Sequence, residues 1–337
     1  MSTRRQFIST SAALAVGLGI TSRAAAQGTP ETSPAAGAAS PANGGWTFTD
    51  DRGRTVELAA VPTRIFADTG AGLALWELGI KPVGLAGYPD VFAIPEGLAD
   101  VPFLDIQDGL DLEAVKALDP DLIVSQSWDT INNNDFGGVD EGLIPGILEI
   151  APTVGIRALD VPVDTSLGRF EELAGLLGAD LEAPAVVEAR AAFLDAADKV
   201  RAVAQEKADV KVVAISATPD IAYIGNPKSA SDLMYFAGLG VNFMELTGSA
   251  DVVSGLFQEL SWERINTYNA DLFLNDDRVY GLTDEQLLAQ PTFSLLPAAK
   301  AGQIGPWSVE YITSYGGFTP ILLALADSLA KAEVVTG

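Results

Sequence analysis

The sequence predicts an α/β protein: two Rossmann-like lobes with mainly parallel sheets, joined by one long rigid α-helix. Three observations carry this. First, Leu112–Val124 and Trp262–Leu274 repeat one pattern in register: a glutamate, an apolar β-branched residue two places on, an Asp-Leu pair and an apolar run. Each copy reads as a short helix opened by its glutamate, a turn and a buried strand. Second, short apolar runs alternate with helical patterns in both halves, which indicates parallel sheets covered on both faces. Third, residues 184–207 read as a single helix between the two patterns, with Pro184 suited to its first turn.

The elements follow in order. Arg4-Arg5-Gln6-Phe7, the uncharged run Ala12–Ile20 and the small-residue site Ala24-Ala25-Ala26 make residues 1–26 a twin-arginine (Tat-type) signal peptide. Residues 27–45, rich in Pro, Ala, Gly, Ser and Thr, read as a disordered linker. The N-terminal α/β lobe is expected over 46–183. Thr47–Thr49 and Thr55–Leu58 form a hairpin around Asp51-Arg52-Gly53-Arg54. Arg64–Ala67 is a strand. Thr69 caps a helix that runs through Leu78 and stops at Gly79, and Pro82–Leu85 is the next strand. After the first glutamate unit come a strand at Thr153–Ile156 and a helix over 166–177. Residues 184–208 form the connecting helix and 209–337 the C-terminal α/β lobe. There the strands are Val210–Ile215, Ala222–Gly225 and a stretch around Val241–Met244. A helix runs from Ser229 to Ala237, another opens at Thr283-Asp284-Glu285, and the last runs from Phe318 to about Ala332. That last helix places Ile321, Leu322, Leu325 and Leu329 on one face.

Composition narrows the chemistry. The chain has no cysteine, which excludes disulfides, thiolate metal sites and a lipidated cleavage-site Cys, so a lipoprotein is not expected. It also has no histidine, which removes the commonest metal ligand and general base and any Ser-His-Asp triad. Loss of Arg4, Arg5 and Arg23 with the signal leaves 17 basic against 45 acidic residues, a net charge near −28. Such a surface repels nucleic acid and anionic lipid. The mature chain is expected to be an extracytoplasmic monomer, without direct membrane insertion.

Several motifs together resemble one family. They are Asp51 with Gly53–Val56, the Pro62-x-Arg64-Ile65 strand, Leu78–Ile80, Pro82–Gly84, Leu112–Ile123 and Leu260–Glu263, with the long helix between. Over roughly residues 46–333 the chain resembles the periplasmic substrate-binding proteins of ABC importers for iron-siderophores, haem and cobalamin, the helical-backbone class III. The resemblance implies two lobes that move little, a ligand held between them, and no enzymatic activity. It implies one surface glutamate per lobe docking on a dimeric permease with its ATPase. By position these are Glu113 and Glu263, where a first-turn carboxylate is also favoured by the helix dipole. Glu259 competes for the role in the second lobe, and ordinary first-turn glutamates are the alternative.

Ligands of parallel α/β sheets meet the loops at the carboxyl ends of strands. The candidates there are Thr69, Tyr88, Trp128, Asp129, Arg157, Arg278, Trp307 and Tyr311, in loops that also hold Asp68, Tyr223 and Asn226. Aromatic rings give rigid apolar contact, and arginine gives fixed donors to chelating oxygens. Trp128, directly after a strand and a Ser-Gln-Ser turn, is the first choice; a rim or core tryptophan is the alternative. Arg157 and Arg278 suit an anionic ligand, and surface salt bridges are the competing reading. Tyr223 is expected to pack in its strand. Asn132–Asn134 with Asp135 reads as a solvated loop before a cation or ligand site. Gly70-Ala71-Gly72 is not a dinucleotide fingerprint, because Leu75 holds the third-glycine position. The expected ligand is a ferric siderophore, with no cofactor or protein-held metal. Cobalamin or a haem-type tetrapyrrole stays open. So does, from another class, an enzyme on a chelatase-like scaffold, which would need a carboxylate, Lys or Tyr as base.

Overall fold

The structure, a computed structural model, describes residues 45–127, 136, 139, 141–247, 252–253, 255–279 and 281–336. The signal peptide and nearly all of the linker therefore lie outside it, as do Trp128, Asp129 and the asparagine cluster.

The chain enters through β1 (Trp46–Thr49) and β2 (Thr55–Leu58), an antiparallel hairpin whose turn uses Gly53 at φ 76°. Its turn is fastened to the first sheet by Arg52, which pairs with the buried Asp50 at 2.6 Å and donates to the Thr153 carbonyl at 3.1 Å.

The first sheet is built from β3 (Ile65–Asp68), β4 (Gly84–Gly87), β5 (Phe103–Asp105), β6 (Leu122–Ser127) and β7 (Thr153–Arg157). All neighbours are parallel, in the order β5-β4-β3-β6-β7. The order reverses between β3 and β6, and that switch point is where an open α/β sheet leaves a crevice. Helix α1 (Thr69–Glu77) follows β3, and α2 (Leu112–Ala117) and α3 (Ile144–Ile150) flank β6. The cap of α1 is Asp68, whose carboxylate accepts from Ala71 N–H at 2.8 Å, and Thr69 is the first helical residue. The expected Thr69 cap is thus displaced by one residue, because a carboxylate in extended backbone reaches the same N–H groups and leaves the threonine hydroxyl to donate to Ala86 O at 3.0 Å.

Helix α4 (Val163–Leu176) leads to α5 (Pro184–Glu206), whose 23 residues span about 35 Å. The second sheet contains β8 (Val212–Ala217), β9 (Ile221–Gly225), β10 (Val252–Val253), β11 (Phe257–Ser261), β12 (Leu272–Asp276) and β13 (Ile304–Trp307). Its order is β10-β11-β9-β8-β12-β13. The parallel part is β8-β12-β13, and β9, β11 and β10 extend it by antiparallel pairing. Helices α6 (Ser231–Gly238), α7 (Asp284–Leu288), α8 (Pro297–Ala301) and α9 (Tyr315–Lys331) complete the chain. The stretch Val241–Met244 is not a strand: it touches β8 through one parallel bridge, Val212 to Phe243. The second glutamate unit opens with a 3-10 turn, Trp262–Thr267, rather than an α-helix, and Ser261 makes no side-chain cap there.

One continuous apolar core runs through both lobes. It joins Leu73 and Leu75 of α1, Phe170 and Leu173 of α4, Phe193 and Val200 of α5, Phe236 of α6, and Phe318 and Leu322 of α9. Polar ties reinforce it. Glu77 at the end of α1 accepts from Ser314 Oγ at 2.8 Å and from Gly316 N–H at 2.9 Å, so a first-lobe carboxylate caps α9 of the second. Ser231 of α6 donates to Ala158 O at 2.8 Å.

Candidate functional site

The carboxyl ends of β3, β4 and β6 face those of β12 and β13 and the start of β11 across a cavity of about 420 Å³. That lies within the roughly 300–1,000 Å³ typical of small-molecule sites. The first lobe contributes Asp68, Thr69, Gly70, Tyr88, Val91, Phe92, Ile106 and Gln126; the second contributes Leu256, Phe257, Arg278, Val309, Glu310 and Tyr311.

The floor is fixed by a polar relay. Asp68 is buried at the switch point and accepts from both Ala71 N–H and Gln126 N–H. Burial pushes its carboxyl up to about 7, overcoming the N–H groups of Ala71, Gln126 and Gly70 that favour the charged form. Gln126 extends the relay into the other lobe, donating from Nε2 to Thr313 Oγ1 at 2.7 Å. Gly70 is needed here because a Cβ would collide with the Gln126 amide oxygen. The walls are apolar and aromatic, and Tyr88 stands 51% exposed at the rim.

On the second lobe, Arg278 is held by Asp276. Its Nε donates to both carboxylate oxygens at 2.9 Å and its Nη2 to Oδ2 at 2.6 Å, while Nη1 reaches Glu310 at 3.4 Å. Ser216 Oγ also donates to Asp276 Oδ2, at 2.6 Å. Tyr311 is 7% exposed, and burial together with the neighbouring Asp232 carboxylate pushes its phenol well above the usual range. Behind this wall Trp307 is 2% exposed, donates from Nε1 to Asp232 Oδ2 at 2.6 Å and packs its ring 5.9 Å from Phe257. Burial raises the Asp232 carboxyl to about 6 despite that bond.

The structure therefore brings Thr69, Tyr88, Arg278 and Tyr311 together on one cavity and sets Trp307 one layer behind it. Arg157 is not on the cavity wall. Its backbone N–H donates to Asp51 Oδ2 at 2.8 Å and its guanidinium to Asp51 O at 3.3 Å, towards the N-terminal hairpin. Trp128 and Asp129, directly after β6, lie outside the described residues. Tyr223 lies in β9 against Phe257, with ring centroids 6.3 Å apart, and Asn226 donates to Gly255 O at 2.7 Å, ordering the turn that presents Leu256 and Phe257. Glu113 and Glu263 are both exposed; Glu263 is held below the usual carboxylate range by its own backbone N–H and the Ser261 hydroxyl. Glu259 is half-buried in β11.

Sequence reasoning missed Gln126, Asp276, Phe257, Phe92 and Glu310. The first two carried a signal. Aligned on the repeated unit, Leu122-Ile-Val-Ser-Gln126 matches Leu272-Phe-Leu-Asn-Asp276, so a buried polar residue takes the fifth position of the same strand in each lobe.

Residues 82–308 match the model of a family described as periplasmic binding protein. The chain is similar in structure to DesE, a ferric-siderophore receptor protein from Streptomyces coelicolor, at a TM-score of 0.74 and 36% identity over 87% of this chain and 100% of that one. It is also similar to the petrobactin-binding protein YclQ from Bacillus subtilis (TM-score 0.63, 20% identity, 85% and 99% covered). The iron uptake ABC transporter substrate-binding protein PiuA from Streptococcus pneumoniae is a further likeness (TM-score 0.59, 22% identity, 85% and 98% covered). At those last two identities the likeness concerns the fold. No curated protein matches the chain. With a family model covering the greater part of it and a protein of the same fold more than a third identical, the chain belongs to the periplasmic binding proteins, in their helical-backbone class III.

Proposed function

We propose that this chain is the extracytoplasmic solute-binding component of an ABC importer, that it holds a ferric siderophore in the cavity between its sheets, and that it presents the loaded form to a permease through Glu113 and Glu263. The observation that carries the reading is the cavity itself: about 420 Å³, walled from both lobes by aromatic and aliphatic side chains, in a chain 36% identical to a ferric-siderophore receptor. A siderophore already satisfies its iron, so the protein has only to supply shape, ring faces and a few oriented polar groups. The polar groups at the floor fit that task, since Asp68, Gln126 and Thr313 bond to one another and hold the wall in place. Twin-arginine export agrees with a folded receptor delivered across the membrane. Among the described residues no helix is long and apolar enough to cross a membrane.

The docking glutamates are separable from the cavity. Neither lines it, and each is exposed at the start of its copy of the repeated unit. Replacing both, Glu113→Ala with Glu263→Ala, should abolish ferric-siderophore uptake in cells while ligand-induced quenching of tryptophan fluorescence stays as in the parent. Loss of quenching in the double variant would place these residues in ligand binding. Quenching of the parent by cobalamin or haem, with none by ferric siderophores, would move the ligand to the tetrapyrroles.

A further inference from the structure

We infer that the cavity selects chelates with no net negative charge, and that Asp276 and Glu310 set this selectivity by occupying Arg278. The inference rests on the receptor reading above and names the ligand class that the site would take. Among the described residues that line the cavity, Arg278 is the only cation. Its charge is already matched. Asp276, buried behind it, takes three donor contacts from the guanidinium at 2.6 and 2.9 Å, and Glu310 on the cavity wall meets Nη1 at 3.4 Å. One positive charge thus faces two carboxylates. Ser216 further anchors Asp276, so the guanidinium is held by a partner that is itself fixed.

Among the described residues the rest of the wall adds no cation. Asp68 lies at the floor with the uncharged polar Thr69 and Gln126, and most of the remaining described surface is aliphatic or aromatic, with Tyr88, Phe92, Phe257 and Tyr311 offering rings. The faces of such rings attract cations and do not stabilise anions. At longer range the chain as a whole carries a formal charge of −25, which slows the approach of anions and favours that of cations. A tricatecholate iron complex, with three negative charges, would meet repulsion at every distance. A trihydroxamate complex is neutral at its iron, and a pendant ammonium would find Glu310.

The test varies charge on one scaffold. Ferric complexes of a linear trihydroxamate are prepared with the terminal amine free, acetylated or succinylated, giving +1, 0 and −1, alongside a ferric tricatecholate. Affinities for the full chain are measured by isothermal titration calorimetry at low salt. The amine form should bind at least as tightly as the acetyl form. The succinyl form should bind at least about tenfold more weakly, and the tricatecholate more weakly still. Glu310→Gln, at a partly exposed position that tolerates an isosteric amide, should shrink the succinyl-to-acetyl ratio of Kd by about threefold or more. Succinyl or catecholate complexes binding as tightly as the amine form would overturn the charge inference and leave the receptor reading standing. An unchanged ratio in Glu310→Gln would overturn the assignment to Glu310. Failure of all four complexes to bind would overturn the receptor reading and this inference with it.

Discussion

Asp68 meets two demands at once: it caps α1, and it ties β3 to β6 through the Gln126 N–H at the cavity floor. Its carboxyl ionises near 7 in the fold and near 4 in an unfolded chain, so folding takes up a proton between those limits. Its contribution to stability is therefore largest below about pH 4 and falls as pH rises towards 7, by an amount on the order of a few kcal/mol. Asp232, raised to about 6, works in the same direction. Asp68→Asn keeps an acceptor for the Ala71 N–H and removes the titration. Melting temperatures followed from pH 4.5 to 7.5 should decline less steeply in the variant than in the parent, and parallel declines would remove Asp68 from this role. Residues of this kind were only partly legible in the sequence. A strand end followed by Asp68-Thr69 marks a site, yet which of the two caps the helix depends on backbone reach. Trp307 and Arg157 are the last residues of β13 and β7, at strand ends of the expected kind, but the direction of a side chain is set by its partners, Asp232 for one and the hairpin residue Asp51 for the other.

The repeated unit gains a physical meaning at the level of elements. In each copy the aspartate before the strand clips that strand to the start of the first strand, in chain order, of its sheet. Asp121 accepts from Arg64 N–H at 2.8 Å and from Thr63 N–H at 2.9 Å, and its own N–H donates to Arg64 O at 3.0 Å. Asp271 accepts from Lys211 N–H at 2.9 Å and its N–H donates to Lys211 O at 2.8 Å. Asp271 additionally takes the Val335 and Thr336 N–H groups at 2.8 Å, which pins the C-terminal segment. Because a buried donor left without an acceptor costs about 1–3 kcal/mol, Asp271→Ala should destabilise the chain by more than ~2 kcal/mol and Asp121→Ala, at a more open position, by about 1 kcal/mol. Urea unfolding compares them, and equal losses would contradict the added role of Asp271. The sequence made this unit visible as a pattern, and its strands and connecting helix formed where periodicity placed them. It misjudged the second copy's opening turn, which is 3-10 over Trp262–Thr267 and lacks the carboxylate cap that Asp111 gives α2. The antiparallel β8–β9 pair was missed, although Thr218–Asp220 is too short for the crossover that a parallel neighbour requires.

Across the whole molecule, the two sheets do not hang from a flexible joint. The core of α1, α4, α5, α6 and α9 is shared, and Glu77 caps a helix of the opposite lobe. On the receptor reading, such a frame would hold the cavity in one shape, so that little ordering would be needed when a ligand enters. In the docking role proposed above, it would also hold Glu113 and Glu263 at a fixed separation. The long helix and the duplicated unit made the two-lobed plan legible, whereas the identity of the cavity walls depended on contacts between segments far apart in sequence. Leu256 and Phe257 face Thr69 and Tyr88 only because β9, β11 and the Asn226 turn fold together. The location of the ligand is open to direct measurement by calorimetric titration of a ferric trihydroxamate into the native chain and into a Tyr88→Ala, Phe257→Ala variant with native circular dichroism. Binding between the sheets requires micromolar or tighter affinity in the native chain and at least a ~10-fold loss, about 1.4 kcal/mol, in the variant. Equal affinity in the two proteins would contradict it.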